Sequence, residues 1–289
     1  LRTRTGDFPI GFRRGGGAWQ ADLAELLEWA VANELEVIDL RADADVTGRM
    51  VVDAGLRIGS VDLPDNKGMI AADAGRRRAA LERNSEFVRA CASLGPVNYF
   101  LVMPPDDPNL PRAENFGYMV ESFGALAAVL EENNAKLVIE GWPGPGALCC
   151  TPEGYRSFFE QVPSAAMGVN YDPSHLIRMR IDHLRFLDEF GDRVFHVHGK
   201  DTEMLDDQLY EYGSEQPPTF ARPLPFSGMT WRYTIPGHGI AKWPCIFSKL
   251  EERGYQGAVS IELEDLNFHR DPELEKMGIL HGARFLTGC

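Results

Sequence analysis

Short runs rich in β-forming residues alternate with longer stretches of helical spacing along the whole chain, and the alternation repeats eight times. The runs are PIGF (9–12), EVIDLR (36–41), RIGSVDLP (57–64), VNYFLVMP (97–104), KLVIEG (136–141), AMGVNYD (166–172), RVFHVHGK (193–200) and GAVSIELE (257–264). Helical periodicity predicts helices over about 19–34, 45–54, 70–94, 114–133, 152–161, 177–190 and 272–287. In the first of these, Leu23, Leu26, Leu27, Ala30 and Val31 form one apolar stripe. Val/Ile-rich runs separated by helices are the pattern of parallel strands covered on both faces. The expected fold class is α/β, a (β/α)8 TIM barrel, with an open doubly wound sheet as the alternative. A barrel of this type takes roughly 250 residues, so one domain over 1–289 is expected. Residues 202–239, rich in Pro, Gly and aromatics, read as a long loop after the seventh strand. A loop of that length is a candidate lid or substrate-shaping element.

Four of the later runs end in side chains that ligate metals: Glu140; Asp172 with His175; His196 with His198; Glu262 with Glu264. A closed barrel aims the ends of neighbouring strands at one place, whereas an open sheet spreads them along a line. Carboxylates with one imidazole suit Mn²⁺, Mg²⁺ or Co²⁺ better than a structural zinc site, which favours thiolate and imidazole. Each residue also has a plainer reading. Glu140 caps the turn before Gly-Trp-Pro, and Asp172, just ahead of a proline, caps a helix. His196 and His198 alternate on one strand and face the same side, as do Glu262 and Glu264, and spacing alone does not choose within either pair.

Charge and cysteine content narrow the function classes. The formal net charge of −14 repels phosphate backbones, so no nucleic-acid partner is expected. The five cysteines form no CxxC pair and adjacent Cys149 and Cys150 make a poor bridge, which fits free thiols in a reducing cytoplasm. No apolar run approaches the ~20 residues of a membrane span, and LRTRTGDFPIGF lacks the apolar centre of a signal peptide. A cytoplasmic protein without a membrane partner is therefore expected. The first residue is not Met, as in a trimmed or incompletely represented chain.

The segments 136–143, 168–175, 194–203 and 231–265 give the chain a family likeness. It resembles the sugar phosphate isomerase/epimerase superfamily, the xylose isomerase-like barrels, which includes ketose 3-epimerases, inosose dehydratases and hydroxypyruvate isomerases. The resemblance implies Glu140, Asp172, His198 and Glu262 as metal ligands, with Mn²⁺ foremost and Mg²⁺ or Co²⁺ as alternatives. It matches Asp172-Pro-Ser-His175 to the family's Asp-x-x-His, whose His reaches substrate oxygens. It also matches His196-Val-His198 to the family's His-x-His. Glu140 and Glu262 are then the proton-transferring pair, with His175 as a further catalytic or substrate-binding group. His196 is a candidate either for substrate contact or for a buried hydrogen-bonding role; Lys200, Trp142, Arg232 and His238 are substrate-contact candidates; Phe12 and Trp231 are candidate apolar walls. Two departures weaken a ketose 3-epimerase assignment. The family's second Glu, six residues after the first, is here Gly146, and its Arg six residues after the ligand His is Met204.

The expected function is a divalent-metal-dependent isomerase or epimerase of a sugar, keto-sugar or cyclitol, acting through a metal-stabilised enediolate. A lyase on the same enediolate is the alternative. A non-catalytic sugar-binding barrel and a repair endonuclease of the endonuclease IV type are further alternatives. The resemblance also implies a homo-oligomer.

Overall fold

The computed structural model describes residues 1–289 apart from Arg270. The strands are β1 (Ile10–Arg13), β2 (Val37–Leu40), β3 (Arg57–Asp62), β4 (Asn98–Val102), β5 (Lys136–Glu140), β6 (Met167–Tyr171), β7 (Val194–Gly199), β8 (Asp201–Met204), β9 (Trp231–Thr234) and β10 (Val259–Ile261). The helices are α1 (Leu23–Ala32), α2 (Ala44–Asp53), α3 (Ala74–Ala90), α4 (Arg112–Glu132), α5 (Pro152–Gln161), α6 (Pro173–Arg178), α7 (His183–Phe190), α8 (Asp206–Tyr212), α9 (Trp243–Glu252) and α10 (Pro272–Thr287). Eight strands close into a barrel in the order β1-β10-β7-β6-β5-β4-β3-β2, while β8 and β9 form a separate two-stranded sheet. Barrel pairings are parallel, as in Glu140↔Asn170 between β5 and β6 and Phe12↔Ile261 between β1 and β10. The expected (β/α)8 architecture is therefore present.

Contacts gather the chain into two compact units, Leu1–Val37 with Asp172–Gly191 and His198–Cys289, and Ile38–Tyr171 with Asp192–Val197. The first has an aromatic core in which Phe8 meets Phe247 and Tyr255 edge-on, at ring-centroid distances of 5.9 and 5.1 Å. Four of its helices start on built caps: Asp22 for α1, Asp172 for α6, Asp182 for α7 and Asp271 for α10 accept backbone N–H groups of the first turn. The second unit holds β3 to β6, with Phe123 against Phe158 at 6.5 Å and the Tyr155 hydroxyl donating to the Ile139 carbonyl at 2.9 Å. Thr151 caps α5, and Pro152 stands at its first position, where a missing N–H costs nothing. No helix among the described residues is long and apolar enough to cross a membrane.

Two sequence expectations need correction. The segment 202–239 is not an unstructured loop. Its beginning and end pair antiparallel, Thr202↔Tyr233 and Met204↔Trp231, with α8 in between. Four-residue strands with a 26-residue separation carry too little local periodicity to be seen. The helix expected over 177–190 is two helices. Asp172 caps a helix that begins earlier, at Pro173, then Arg180 adopts a left-handed conformation (φ 60°) and ends it, and Asp182 caps the next.

Candidate active site

The strand-end residues of the first unit form one buried cluster. Asp172 follows β6, and its Oδ1 accepts the Ser174 N–H at 2.8 Å. His175, one turn into α6, has Nε2 3.5 Å from Asp172 Oδ2 and Nδ1 2.6 Å from the Tyr233 hydroxyl. His198 on β7 has Nδ1 3.5 Å from Glu262 Oε2. Lys200, 1% exposed, joins them: its Nζ is 3.2 Å from Asp172 Oδ2, 2.9 Å from Glu264 Oε2, 3.4 Å from His175 Nε2 and in direct contact with Glu262 Oε2. Arg13, closing β1, places Nε 3.3 Å from Glu262 Oε1.

These charges set the protonation of the cluster. Burial alone would raise the Glu262 carboxyl, but Lys200, His198 and Arg13 together hold it well below the usual carboxylate range. Burial pushes the Tyr233 phenol up, against the opposing pull of Lys200 and Arg178. That hydroxyl accepts from Arg178 Nη1 at 2.5 Å, and the Arg178 guanidinium stacks 4.4 Å over Trp231. Tyr233 thus fixes His175 on one side and is fixed by Arg178 on the other.

In the second unit, Glu140 ends β5, 4% exposed, and its Oε2 accepts from Asn170 Nδ2 at 2.8 Å. The pair follows from the sheet, since Glu140 and Asn170 are register partners. Within the first unit, Asp172, His198 and Glu262 each offer a ligand atom, and these atoms lie within 4.8 Å of one another. These three fit a divalent cation as two carboxylates and one imidazole, mostly buried. Asp172 Oδ2 adds a direct sign, because it is buried and takes part in no hydrogen bond, its contacts being ionic.

Other sequence candidates are placed differently. His196, a candidate for substrate contact, is fully buried and tied through Nε2 to Asp39 Oδ2 at 2.9 Å, while Asp39 Oδ1 accepts the Ser60 N–H. That is the internal hydrogen-bonding role, favoured because a buried imidazole and a buried carboxylate satisfy each other. Arg232 pairs with Glu203, its register partner on β8. Strand alternation sends its neighbours Trp231 and Tyr233 to the other face. His238 is exposed, 6.1 Å from the Phe268 ring. Trp142, half-buried, lies in the turn after β5 against Gly144. Phe12 is fully buried, 5.4 Å from Trp29. Sequence reasoning missed Tyr233, Arg178, Arg13 and Asn170. The alternation in Trp-Arg-Tyr and the position of Asn170 two residues before Asp172 were the available signals.

Residues 22–288 match the family model of the xylose isomerase-like TIM barrel. Inosose dehydratase of Geobacillus thermodenitrificans (strain NG80-2) is 24% identical over 151 residues, 52% of this chain and 48% of that protein. The chain spans between about a third and just over half of the length of the curated relatives it matches. Among solved structures, 3-keto-D-glucoside 4-epimerase from E. coli superposes with a TM-score of 0.70 at 14% identity, covering 98% of this chain and 100% of that one. IolI protein with a zinc atom superposes at 0.67 and 17%, covering 96% of each chain. At such identities the structural likeness is one of fold.

Proposed function

The chain belongs to the xylose isomerase-like TIM barrel family, and from that premise we propose that it is a divalent-metal-dependent isomerase or epimerase of a sugar, keto-sugar or cyclitol, with residues 1–289 acting as one catalytic domain. The observation that carries the reading is the convergence of Asp172, His198 and Glu262 within the first unit, with Glu140 as the fourth ligand that the family likeness implies. These four would hold the cation, Mn²⁺ first and Mg²⁺ or Co²⁺ as alternatives. When bound, it supplies Lewis-acid polarisation of a substrate carbonyl, which acidifies the neighbouring C–H.

The protein's own groups do the rest. Glu262 is kept ionised by the positive charge gathered around it, Arg13 included, the state from which a carboxylate accepts a proton. It takes the proton from carbon. Glu140, held by Asn170, enters the cycle protonated and returns its proton to carbon, and proton exchange of both carboxyl groups with solvent resets the pair. Return to the opposite face of the same carbon gives an epimer, and return to the adjacent carbon gives an isomer. His175, held through Nδ1 by Tyr233, turns its other nitrogen toward Asp172 and Lys200 and is placed to hold a substrate hydroxyl. Burial of the cluster strengthens each of these interactions over their value in water.

A second reading, elimination of a β-hydroxyl after the same proton removal, is supported by the inosose dehydratase relatives. The 3-keto-glucoside epimerase fold neighbour supports the first.

Metal analysis by mass spectrometry tests the site, comparing wild type with Glu140→Ala and His198→Ala. A single divalent ion per chain, lost in both variants, is the expected result. Turnover of ketoses, inososes and 3-keto-glucosides in deuterated water, followed by NMR, then separates the reactions. Exchange with an isomeric product supports isomerisation or epimerisation, and loss of water supports the lyase. A protein that retains no divalent ion and gains no thermal stability from Mn²⁺, Mg²⁺ or Co²⁺ refutes the metal-dependent reading.

A further inference from the structure

Both unit-one carboxylates of the proposed metal quartet have one oxygen committed to the protein and one left over. Asp172 Oδ1 accepts the Ser174 N–H at 2.8 Å. Glu262 Oε1 lies 3.3 Å from Arg13 Nε. The remaining oxygens, Asp172 Oδ2 and Glu262 Oε2, both face Lys200 Nζ, at 3.2 Å and in direct contact respectively. Glu262 Oε2 is also the oxygen nearest His198, 3.5 Å from Nδ1. A cation held by Asp172, His198 and Glu262 therefore meets the two oxygens on which the ammonium already sits. An ammonium has three protons, and a third carboxylate oxygen is at hand: Glu264 Oε2, 2.9 Å from Nζ on a side chain 33% exposed and outside the quartet.

We propose that Lys200 is the protein's own occupant of the metal site, that a divalent cation binds by displacing its ammonium from Asp172 and Glu262, and that Glu264 receives the displaced ammonium. This inference rests on the metal-dependent reading above. Its physical logic is electrostatic. Buried carboxylates without a counter-charge repel one another and are costly to desolvate. Lys200 neutralises them while the cation is absent, so the fold does not depend on the metal. In return, metal binding becomes an exchange of one cation for another and is weaker than filling a vacant site.

Isothermal titration of metal-stripped protein with Mn²⁺ tests it, with circular dichroism to confirm folding. Lys200→Met removes the competitor while keeping the length of the side chain. Mn²⁺ affinity is expected to tighten by at least about tenfold, which corresponds to ~1.4 kcal/mol. The melting temperature of the stripped variant should fall, and that of the Mn²⁺-loaded variant should rise. Glu264→Gln removes the receiving group and should weaken Mn²⁺ binding in the wild-type background by roughly three- to tenfold, an effect that vanishes in the Lys200→Met background. A simple charge effect without displacement would instead make Glu264→Gln equally costly in both backgrounds, and that outcome overturns the proposal. So does Mn²⁺ affinity unchanged or weakened by Lys200→Met. Wild type that binds Mn²⁺ with either of those outcomes overturns this inference alone. Absence of Mn²⁺ binding in both wild type and Lys200→Met overturns the metal-dependent reading with it.

Discussion

Asp201 supports the strongest stability prediction. Its carboxylate is fully buried and receives four donors: Thr202 N at 2.8 Å and Ala241 N at 2.9 Å on Oδ1, Gly237 N at 3.3 Å and Trp243 Nε1 at 3.1 Å on Oδ2. These staple the hairpin of β8 and β9 to the turn 236–239 and to the start of α9. A Cβ at Gly239 would lie 2.2 Å from Asp201 Oδ1, so only glycine lets the turn approach this closely. Asp201→Asn keeps the shape but turns one acceptor end into a donor. Whichever way the amide flips, two buried N–H groups lose their acceptor. Each orphaned donor costs roughly 1–3 kcal/mol, which puts the loss near 4 kcal/mol. Unfolding entropy of about 2.1 cal/mol/K per residue is about 0.6 kcal/mol/K for a chain this long, so the melting temperature should fall by about 7 °C. Asp201→Ala, which orphans all four donors, should fall further. Differential scanning calorimetry of both variants measures this, with exposed Glu211→Gln as a control. If Asp201→Asn lowers the transition by less than about 2 °C, as an indifferent surface change would, the staple does not carry the hairpin and the reasoning fails.

Three other outcomes are expected. Tyr233→Phe keeps the ring beneath Arg178 and Lys200 but removes the hydroxyl that orients His175; Mn²⁺ content should hold while turnover drops about 10–100-fold, and equal turnover would sink that role for Tyr233. Gly11→Ala would set a Cβ 1.9 Å from the Val37 carbonyl oxygen, backbone against backbone; a loss of at least about 3 kcal/mol is expected in urea denaturation, and wild-type stability would contradict the packing. Burial lowers the pKa of His183 below its ordinary 6.5, so the unfolded chain takes up that proton before the folded one. Stability is then complete above about pH 6.5 and declines as pH falls from there through the lower folded value; His183→Asn should flatten that part of the curve of urea midpoint against pH, and an unaltered curve would refute the assignment.

The barrel strands were legible because each is a compact apolar run whose character is set locally. The helices expected at about 152–161 and 272–287 are Pro152–Gln161 and Pro272–Thr287, each starting on a proline behind a capping Thr or Asp. The hairpin was hidden because Asp-Thr-Glu-Met and Trp-Arg-Tyr-Thr acquire strand character only by pairing with each other across 26 residues. That same pairing decides which side chains of β9 face the cluster, so Tyr233 escaped notice while Arg232, with the more suggestive chemistry, drew it. Asp172 shows a different limit. Cap and ligand had been alternatives, yet one oxygen caps α6 while the other faces Lys200. Residue type does not reveal that a carboxylate serves two purposes through its two atoms. His196 carried the same ambiguity, and its partner Asp39, 157 positions away, lay beyond any local pattern.

The hairpin also sets apart what lies between its strands. Lys200 stands at the root of one strand and Tyr233 in the other, but the excursion joining them is largely on the outside: α8 buries none of its residues, and Tyr210 and Phe220 are 91% and 96% exposed. Because the ends are clamped at the base, lengthening this stretch costs little in chain entropy, and changes near its tip leave the geometry at the root intact. It is a natural place to graft a recognition sequence or a fluorescent reporter, and a place where the length of the chain is free to drift without disturbing the chemistry it encloses.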